Sequence, residues 1–511
     1  MIPGASSRDR LAAYGIPVAI VLFQLATFRG YGIFRDEMYY LACADHLAWG
    51  YVDHPPLSIA VLAAFRAVFG SSLLAVRIAP ALAAGLTAYL AASCARALSG
   101  GAFAQRLAAL CAATFPLGLA EGAFFSMNAF DMVFWTAMLR LFIAILDGAD
   151  PRLWLAFGAV AGFGLENKIS VLFLGMGIAA GILLARRFDL LRSRWPWIGA
   201  LIAGALFAPH VLWQLAHAWP TREFMDNAQR FKMSAETPLG FISQQILHAG
   251  PFLLPVWAAG VGALLVTPAL RPWRAIGWAY LVILVFFIAT GAKPYYLGPI
   301  YPALFAAGAV AWERLAASRP AWRWLRPALA AVVLIGGALL APATKGLLPE
   351  ETYIAYAQAL HIQPHSGERH EMGRLPQHFA DMHGWQALAE TVARVRDGLP
   401  PDERDHLCIF GQNYGEAGAV DRFGPALGLP RAISGHNAYW MWGPGSCGAG
   451  NTWIVIGDNR ETLETIFGSV TLGETFHCDL CMPFEDDNPI WICRRMTMPI
   501  DALWQKAKKF V

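Results

Sequence analysis

The chain has 511 residues, of which 57% are hydrophobic and 15% charged. A soluble globular protein averages about 45–50% apolar and about 25% charged residues, so an ordinary water-soluble fold is excluded for most of the length. The formal net charge of +3, with Arg residues in short clusters between apolar runs, does not make the basic, aromatic-interleaved patch that nucleic-acid binding requires.

Apolar runs recur from about residue 11 to 342, and a membrane-spanning helix needs about 20 such residues. In chain order the runs predict about eleven spans, near 14–29, 73–95, 104–121, 128–146, 153–166, 169–185, 197–216, 243–267, 275–291, 297–312 and 327–343. The stretch 57–70 is apolar but short, and reads as an interfacial or re-entrant helix. No signal-peptide cleavage pattern precedes Ile16, so the first run is expected to be retained as a span.

Arg8 and Arg10 precede the first run, and Arg96, Arg106, Arg152, Arg186, Arg187, Arg192, Arg194, Arg271, Arg274, Arg314, Arg319, Arg323 and Arg326 lie in alternate loops. By the positive-inside rule these loops face the cytoplasm, with the N-terminus. The other loops then face outward, among them a first extracytoplasmic loop over about 30–72. They carry most of the unusual polar residues of the membrane part. Residues 1–342 are thus expected to form a transmembrane domain. Residues 343–511 are expected to form an extracytoplasmic α/β domain, with a helix at Trp385 to Val395 and strands at His406–Phe410 and Thr452–Gly457. Five of the eight cysteines lie in this tail, and Cys478-x-x-Cys481 is expected to be a structural bridge.

The first outer loop reads Phe34-Arg35-Asp36-Glu37-Met38-Tyr39-Tyr40 and closes with Asp53-His54-Pro55-Pro56-Leu57. Acids at the edge of a bilayer are functional by default. Helix capping from Met38 onward accounts for one acid of the Asp36–Glu37 pair. The proline pair stiffens the chain after Asp53 and His54, and a His beside an Asp is a candidate ligand pair for a divalent metal ion or a phosphate contact. Asp131 opens an otherwise apolar span. Lys168, Lys293, Arg222 and Arg230 are outer-face cations, against the charge trend, and fit an anionic group such as a phosphate. Tyr295 and Tyr296 follow Lys293.

These pieces, with Asn128 to Asp131, Asn167-Lys168, Asn227-Ala228-Gln229-Arg230-Phe231 and Lys293 to Pro299, resemble the protein O-mannosyltransferase type of membrane glycosyltransferase. This is glycosyltransferase family 39, with the GT-C fold, and it includes the bacterial aminoarabinose transferase of lipid A. The resemblance runs over roughly residues 14–310. It implies a mainly α, polytopic enzyme of the bacterial inner membrane that moves a sugar, with inversion, from a polyprenyl-phosphate donor to a lipid, glycan or protein acceptor. In that family the first-loop Asp is the proposed base, which maps to Asp36, and the acid before the proline pair is a site residue, which maps to Asp53. Glu37, His54, Asp131, Lys168, Arg230, Lys293, Tyr295 and Tyr296 become candidate substrate contacts. The aminoarabinose enzyme has a Lys where His54 stands and a His where Asn227 stands, which implies a different donor or acceptor. A transporter or flippase is the rival class, and it calls for midplane sites in duplicated halves, which the sequence lacks. A non-enzymatic scaffold or sensor is a second rival, with a tail that folds and binds alone. The expected site gathers Asp36, Asp53 and Lys168 into one pocket.

Overall fold

The chain is described from a computed structural model. The structure describes residues 7–234, 236–364 and 366–511, with side chains from residue 14 onward, so the side chains of Arg8 and Arg10 lie outside the described residues. It divides into two units. The first comprises Met1–Gly30, Pro55–Leu212 and Ala235–Pro349, and the second Tyr31–His54, Trp213–Ser234 and Glu350–Val511.

A helix stands at each of the eleven apolar segments. Among the described residues, five helices are long and apolar enough to cross a membrane: Leu73–Ala97, Met127–Leu146, Trp195–Ala216, Pro268–Thr290 and Pro320–Thr344. A sixth would be the pair Pro238–Ala249 and Pro251–Val266, which is bent by 85°. Pro251 and a left-handed Gly250 (φ 97°) account for that break, because proline cannot continue the hydrogen-bond ladder. Most of the other predicted spans are shorter. The Leu153–Asn167 helix has 15 residues, or about 22 Å at 1.5 Å per residue, against a hydrocarbon core of about 30 Å. The segment at 57–70 is the helix Leu57–Phe69, also too short to cross.

Small residues let the helices of the first unit meet backbone to backbone. A Cβ placed on Gly308 of the Tyr301–Ser318 helix would lie 1.8 Å from the Val256 carbonyl oxygen, and one on Gly260 would lie 2.2 Å from that of Leu304. Gly181 meets the Ala275 carbonyl, and Gly158 meets Gly199, in the same way. Such contacts drive helix association where lipid removes the hydrophobic advantage. Large apolar side chains such as Leu201, Val266, Val285, Leu334 and Ile335 are exposed, as lipid-facing residues are. The Glu313 carboxylate accepts from the Gly101 and Ala104 amides at 2.6 and 3.1 Å. It thereby satisfies orphan donors at the start of the Ala102–Thr114 helix.

In the second unit a five-stranded sheet runs β2-β1-β3-β5-β4. The strands are β1 Leu407–Gly411, β2 Ala432–Ser434, β3 Thr452–Ile456, β4 Phe467–Phe476 and β5 Asn488–Met496. β1 pairs in parallel with β2 and β3, while β5 is antiparallel to β3 and β4. β3 is buried at every position, as expected of a central strand in an apolar run. Helices Trp385–Asp397 and Tyr414–Phe423 complete a small α/β domain. Disulfides join Cys408 to Cys447 and Cys478 to Cys481, and Cys493 is a buried thiol.

The Gly308 contact is testable. Gly308→Ala is expected to lower the thermal midpoint of the detergent-solubilised protein, at a cost of about 1–3 kcal/mol for overpacking. Gly204→Ala, at a position with open space, is the control. Equal midpoints for the two variants would contradict the packing.

Candidate functional site

Two polar clusters stand out, one in each unit. In the first unit the Met127–Leu146 helix starts at a Ser126 cap, whose hydroxyl accepts from the Asn128 amide at 3.1 Å and donates to Glu121 at 3.0 Å. One turn on, Asp131 is buried and accepts from the Ser170 hydroxyl at 2.6 and 2.7 Å. Trp135 donates to that hydroxyl from behind at 3.2 Å. Lys168 follows directly on the Leu153–Asn167 helix. Its Nζ donates to Asn128 Oδ1 at 2.7 Å, lies 3.7 Å from Asp131, and sits 4.9 and 5.6 Å from the ring centres of Tyr296 and Tyr295. Lys168 is buried, so it is not snorkelling to a head group. A buried ammonium requires such partners. Lys293 caps the short helix Pro294–Ile300 that carries the two tyrosines. Asp131, Lys168, Tyr295 and Tyr296 are therefore one cluster.

In the second unit the Arg35–Asp45 helix and the Tyr414–Phe423 helix meet closely. A Cβ on Gly415 would lie 2.8 Å from Arg35 Nε, and one on Gly418 would lie 3.0 Å from Met38 Cβ. The Tyr414–Phe423 helix is fixed at its start by a capping box. Asn413 Oδ1 accepts from the amides of Gly415 and Glu416 at 2.8 and 3.1 Å, while Glu416 reaches back to the amides of Gln412 and Asn413. Tyr414 is thereby aimed at the other helix, and its hydroxyl donates to Asp36 Oδ1 at 2.9 Å. The Tyr39 hydroxyl donates to Asp53 Oδ1 at 2.7 Å and accepts from the Ala438 amide at 3.2 Å. The two phenol rings stack at 4.7 Å. Two half-buried carboxylates thus each carry a tyrosine hydroxyl, and their charges are close enough to oppose each other.

The Arg35 guanidinium lies 4.7 Å over the Tyr414 ring and 5.7 Å from that of Phe484, with Glu485 at 4.0 Å. Lys232 ends the π-helical turn Ala228–Lys232 and adds positive charge toward Asp36 while it pairs with Glu368 at 3.6 Å. Burial pushes the Asp36 carboxyl up, and the Tyr414 hydroxyl and the two cations pull it back. Burial likewise raises Asp381 to about 7. It holds the coupled pair Glu416 and Glu485 above the usual carboxylate range. The buried His436 is neutral, because burial pushes its pKa well down. Its Nδ1 accepts from the Tyr414 amide at 3.3 Å, so Nε2 carries the proton and donates to the Val511 carbonyl at 2.9 Å.

Other sequence candidates hold different places. Glu37 is buried and accepts from the Phe34 amide at 2.9 Å, which is a cap of its own helix. His54 is buried against the rings of Tyr40 and Tyr51, with Nε2 3.9 Å from Asp53. Arg230 is exposed, and its carbonyl accepts from Arg369 at 3.2 Å. Asn227 donates to the Phe510 carbonyl at 2.8 Å. Tyr39, Tyr414, Lys232 and Ser170 were not singled out by sequence. Tyr39 lies inside the Asp36 motif and Tyr414 directly follows the cap Asn413, but nothing in the spacing pairs them with their acids. No cofactor is established. Among the described residues, one group of three ligand-type side chains has atoms within 4.8 Å of one another, His477, Asp486 and Asp487. It does not include Asp53 or His54.

Residues 53–213 match the dolichyl-phosphate-mannose-protein mannosyltransferase family. The chain is 25% identical over 337 residues to an undecaprenyl phosphate-alpha-4-amino-4-deoxy-L-arabinose arabinosyl transferase of Pseudomonas fluorescens (strain Pf0-1). That alignment covers 58% of this chain and 57% of the relative, so the match spans little more than half of that enzyme. Two crystal structures of ArnT from Cupriavidus metallidurans are similar in fold at 15% identity. One is the apo state (TM-score 0.62) and the other is bound to undecaprenyl phosphate (TM-score 0.60), and each alignment covers 94% of this chain and 97% of the other.

Asp381 offers a test of the second unit. Its carboxyl is raised in the fold, so the stability it contributes is complete below about pH 4 and is lost as pH rises through about 7. Asp381→Asn keeps a neutral side chain there. The wild-type melting midpoint is expected to fall more steeply between pH 5 and 8 than the variant's. Parallel curves would contradict the shift. The chain thus shares the fold of the ArnT structures over 94% of its length, and its residues 53–213 match the mannosyltransferase family model.

Proposed function

We propose that the protein transfers a sugar from a polyprenyl-phosphate donor to an extracytoplasmic acceptor, with inversion at the anomeric carbon. The observation that carries this reading is the pair of carboxylates, Asp36 and Asp53, each held by a tyrosine hydroxyl beside Arg35 and Lys232. The Pseudomonas relative and the lipid-bound ArnT structure supply the donor class. An acceptor hydroxyl gives its proton to Asp36 as its oxygen bonds to the anomeric carbon. The bond from that carbon to the phosphate oxygen breaks, and the polyprenyl phosphate departs with the electron pair. Phosphate needs no proton to leave at neutral pH, so a separate acid is not required.

Asp53 orients the acceptor, and with His54 it is the pair that would hold a divalent ion. A carboxylate oxygen and an imidazole suit such an ion, which would supply further charge stabilisation. Lys168, supported by Asp131, Asn128, Tyr295 and Tyr296, is the residue we assign to the donor phosphate, with Lys293 and Arg230 as further cations. Glu37 acts by holding the Asp36 helix. In this reading the shorter helices complete about eleven crossings of a bacterial inner membrane. The N-terminus is cytoplasmic, residues 1–342 form the catalytic membrane domain, and residues 343–511 form an outer domain.

Asp36→Asn in proteoliposomes supplied with a polyprenyl-phosphate sugar is expected to lose transfer by about 10²–10⁴-fold. Activity near wild type would remove Asp36 as the base. Lys168→Ala is expected to raise the donor KM about tenfold, as for loss of a charge-assisted contact of about 1.5 kcal/mol. A fall in kcat alone, with KM unchanged, would place Lys168 outside donor binding.

A further inference from the structure

Tyr414 lies far from the first outer loop in sequence, yet its hydroxyl ends on Asp36 Oδ1 at 2.9 Å. Three features fix that hydroxyl in place. The capping box through Asn413 and Glu416 sets the start of its helix. Gly415 and Gly418 let that helix approach the Asp36 helix more closely than any side chain would allow. The phenol ring packs against Tyr39, stacked at 4.7 Å, and against the Arg35 guanidinium, 4.7 Å from its centre. A tyrosine ring packed this closely has one rotor left, the hydroxyl, and the carboxylate is its acceptor. The outer domain therefore contributes a side chain to the acid of the first loop, rather than merely flanking it.

We propose that Tyr414 is the positioning residue of the Asp36 carboxylate. It occupies one carboxylate oxygen, turns the other toward the acceptor, and helps keep the half-buried group ionised. The proposal extends the reading of Asp36 as base, but its central contact can be measured without any substrate. The groups that face Asp36 are Arg35 on its own helix, Lys232 from the Ala228–Lys232 turn, Asp53 from the close of the loop, Asp381 after the Gln377–Ala380 helix, and Tyr414 itself. Arg35 and Lys232 favour the ionised carboxylate, while Asp53 and Asp381 oppose it. Among these groups Tyr414 is the one whose removal alters hydrogen bonding to Asp36 and leaves every charge in place.

The test is an infrared pH titration of the full-length, detergent-solubilised protein, with Asp36→Asn subtracted so that the protonated Asp36 carbonyl band is isolated. Tyr414→Phe removes only the hydroxyl, and the midpoint of that band is expected to move up by about one pH unit, as for loss of a hydrogen bond to an ion. Replacing Tyr414 with a ring-fluorinated tyrosine makes a stronger donor of the same shape and is expected to move the midpoint down. This second variant decides the matter should Tyr414→Phe not fold. A midpoint that stays put in both variants would overturn the proposal.

The assay with a polyprenyl-phosphate sugar separates this result from the fate of the base. If Tyr414→Phe shifts the titration but Asp36→Asn still transfers sugar, the contact stands and the reading of Asp36 as base fails, and with it the role of Tyr414 in transfer. If Asp36→Asn is inactive and the titration does not move, the base stands and Tyr414 is only a packing residue. With both intact, the acid limb of the kcat/KM profile moves upward in Tyr414→Phe by the same interval as the infrared midpoint.

Discussion

A single buried guanidinium organises the second unit. Arg35 is 8% exposed, and a charge so enclosed is tolerated only when its surroundings replace water. They do so from several directions: the faces of Tyr414 and Phe484, the carboxylate of Glu485, and the nearby charges of Asp36 and Asp381. The backbone joins in, since the Arg35 amide donates to the Asp381 carbonyl at 2.9 Å. A lysine would not serve, because only the flat guanidinium can lie on one ring while it addresses a carboxylate at its edge. The two glycines of Tyr414-Gly415-Glu416-Ala417-Gly418 follow from the same constraint, for a side chain at Gly415 would occupy the space of the guanidinium itself.

This arrangement bears on the proposed chemistry, because a carboxylate that is to act as a base must be ionised without being made inert. A carboxylate locked into a close bidentate ion pair is ionised but weakly basic. Asp36 takes a hydrogen bond from a neutral phenol, with Arg35 engaged above that phenol and Lys232 shared with Glu368. Burial then raises its affinity for a proton. The opposing effects leave a carboxylate more basic than one in water, which is the direction required near neutral pH.

Much of the layout was legible in the sequence, though unevenly. Apolar periodicity located the helices, and the buried strands β1 and β3 stood where short apolar runs between turn residues put them. The helix Arg35–Asp45 followed from its acidic start. What local patterning does not encode was missed. The helix pair broken at Gly250 and Pro251 reads as one apolar run, since hydropathy carries no direction. The acids Asp36 and Asp53 drew attention because charge beside an apolar run is conspicuous. Their tyrosine partners were not, because an aromatic residue next to apolar ones looks like core until a distant helix brings it to a carboxylate. Arg230 and Lys232 show the limit at closest range. Both are basic residues of one π-helical turn, yet Lys232 adds charge toward Asp36 while Arg230 stays exposed.

The first unit solves a related problem by other means. Lys168 is held by an amide oxygen, a carboxylate and two aromatic faces. Asp131, which could neutralise it in a tight pair, is instead engaged at both oxygens by Ser170, itself fixed by Trp135. The ammonium stays 3.7 Å from that carboxylate, at the long edge of an ion pair. An amide oxygen and ring faces stabilise a cation without cancelling its charge, which is what the proposed phosphate contact of Lys168 requires. A lysine whose only task was structural would gain more from a short contact with Asp131. Ser170 engages the acid at both oxygens, and the lysine draws its closest contact from the Asn128 amide oxygen instead.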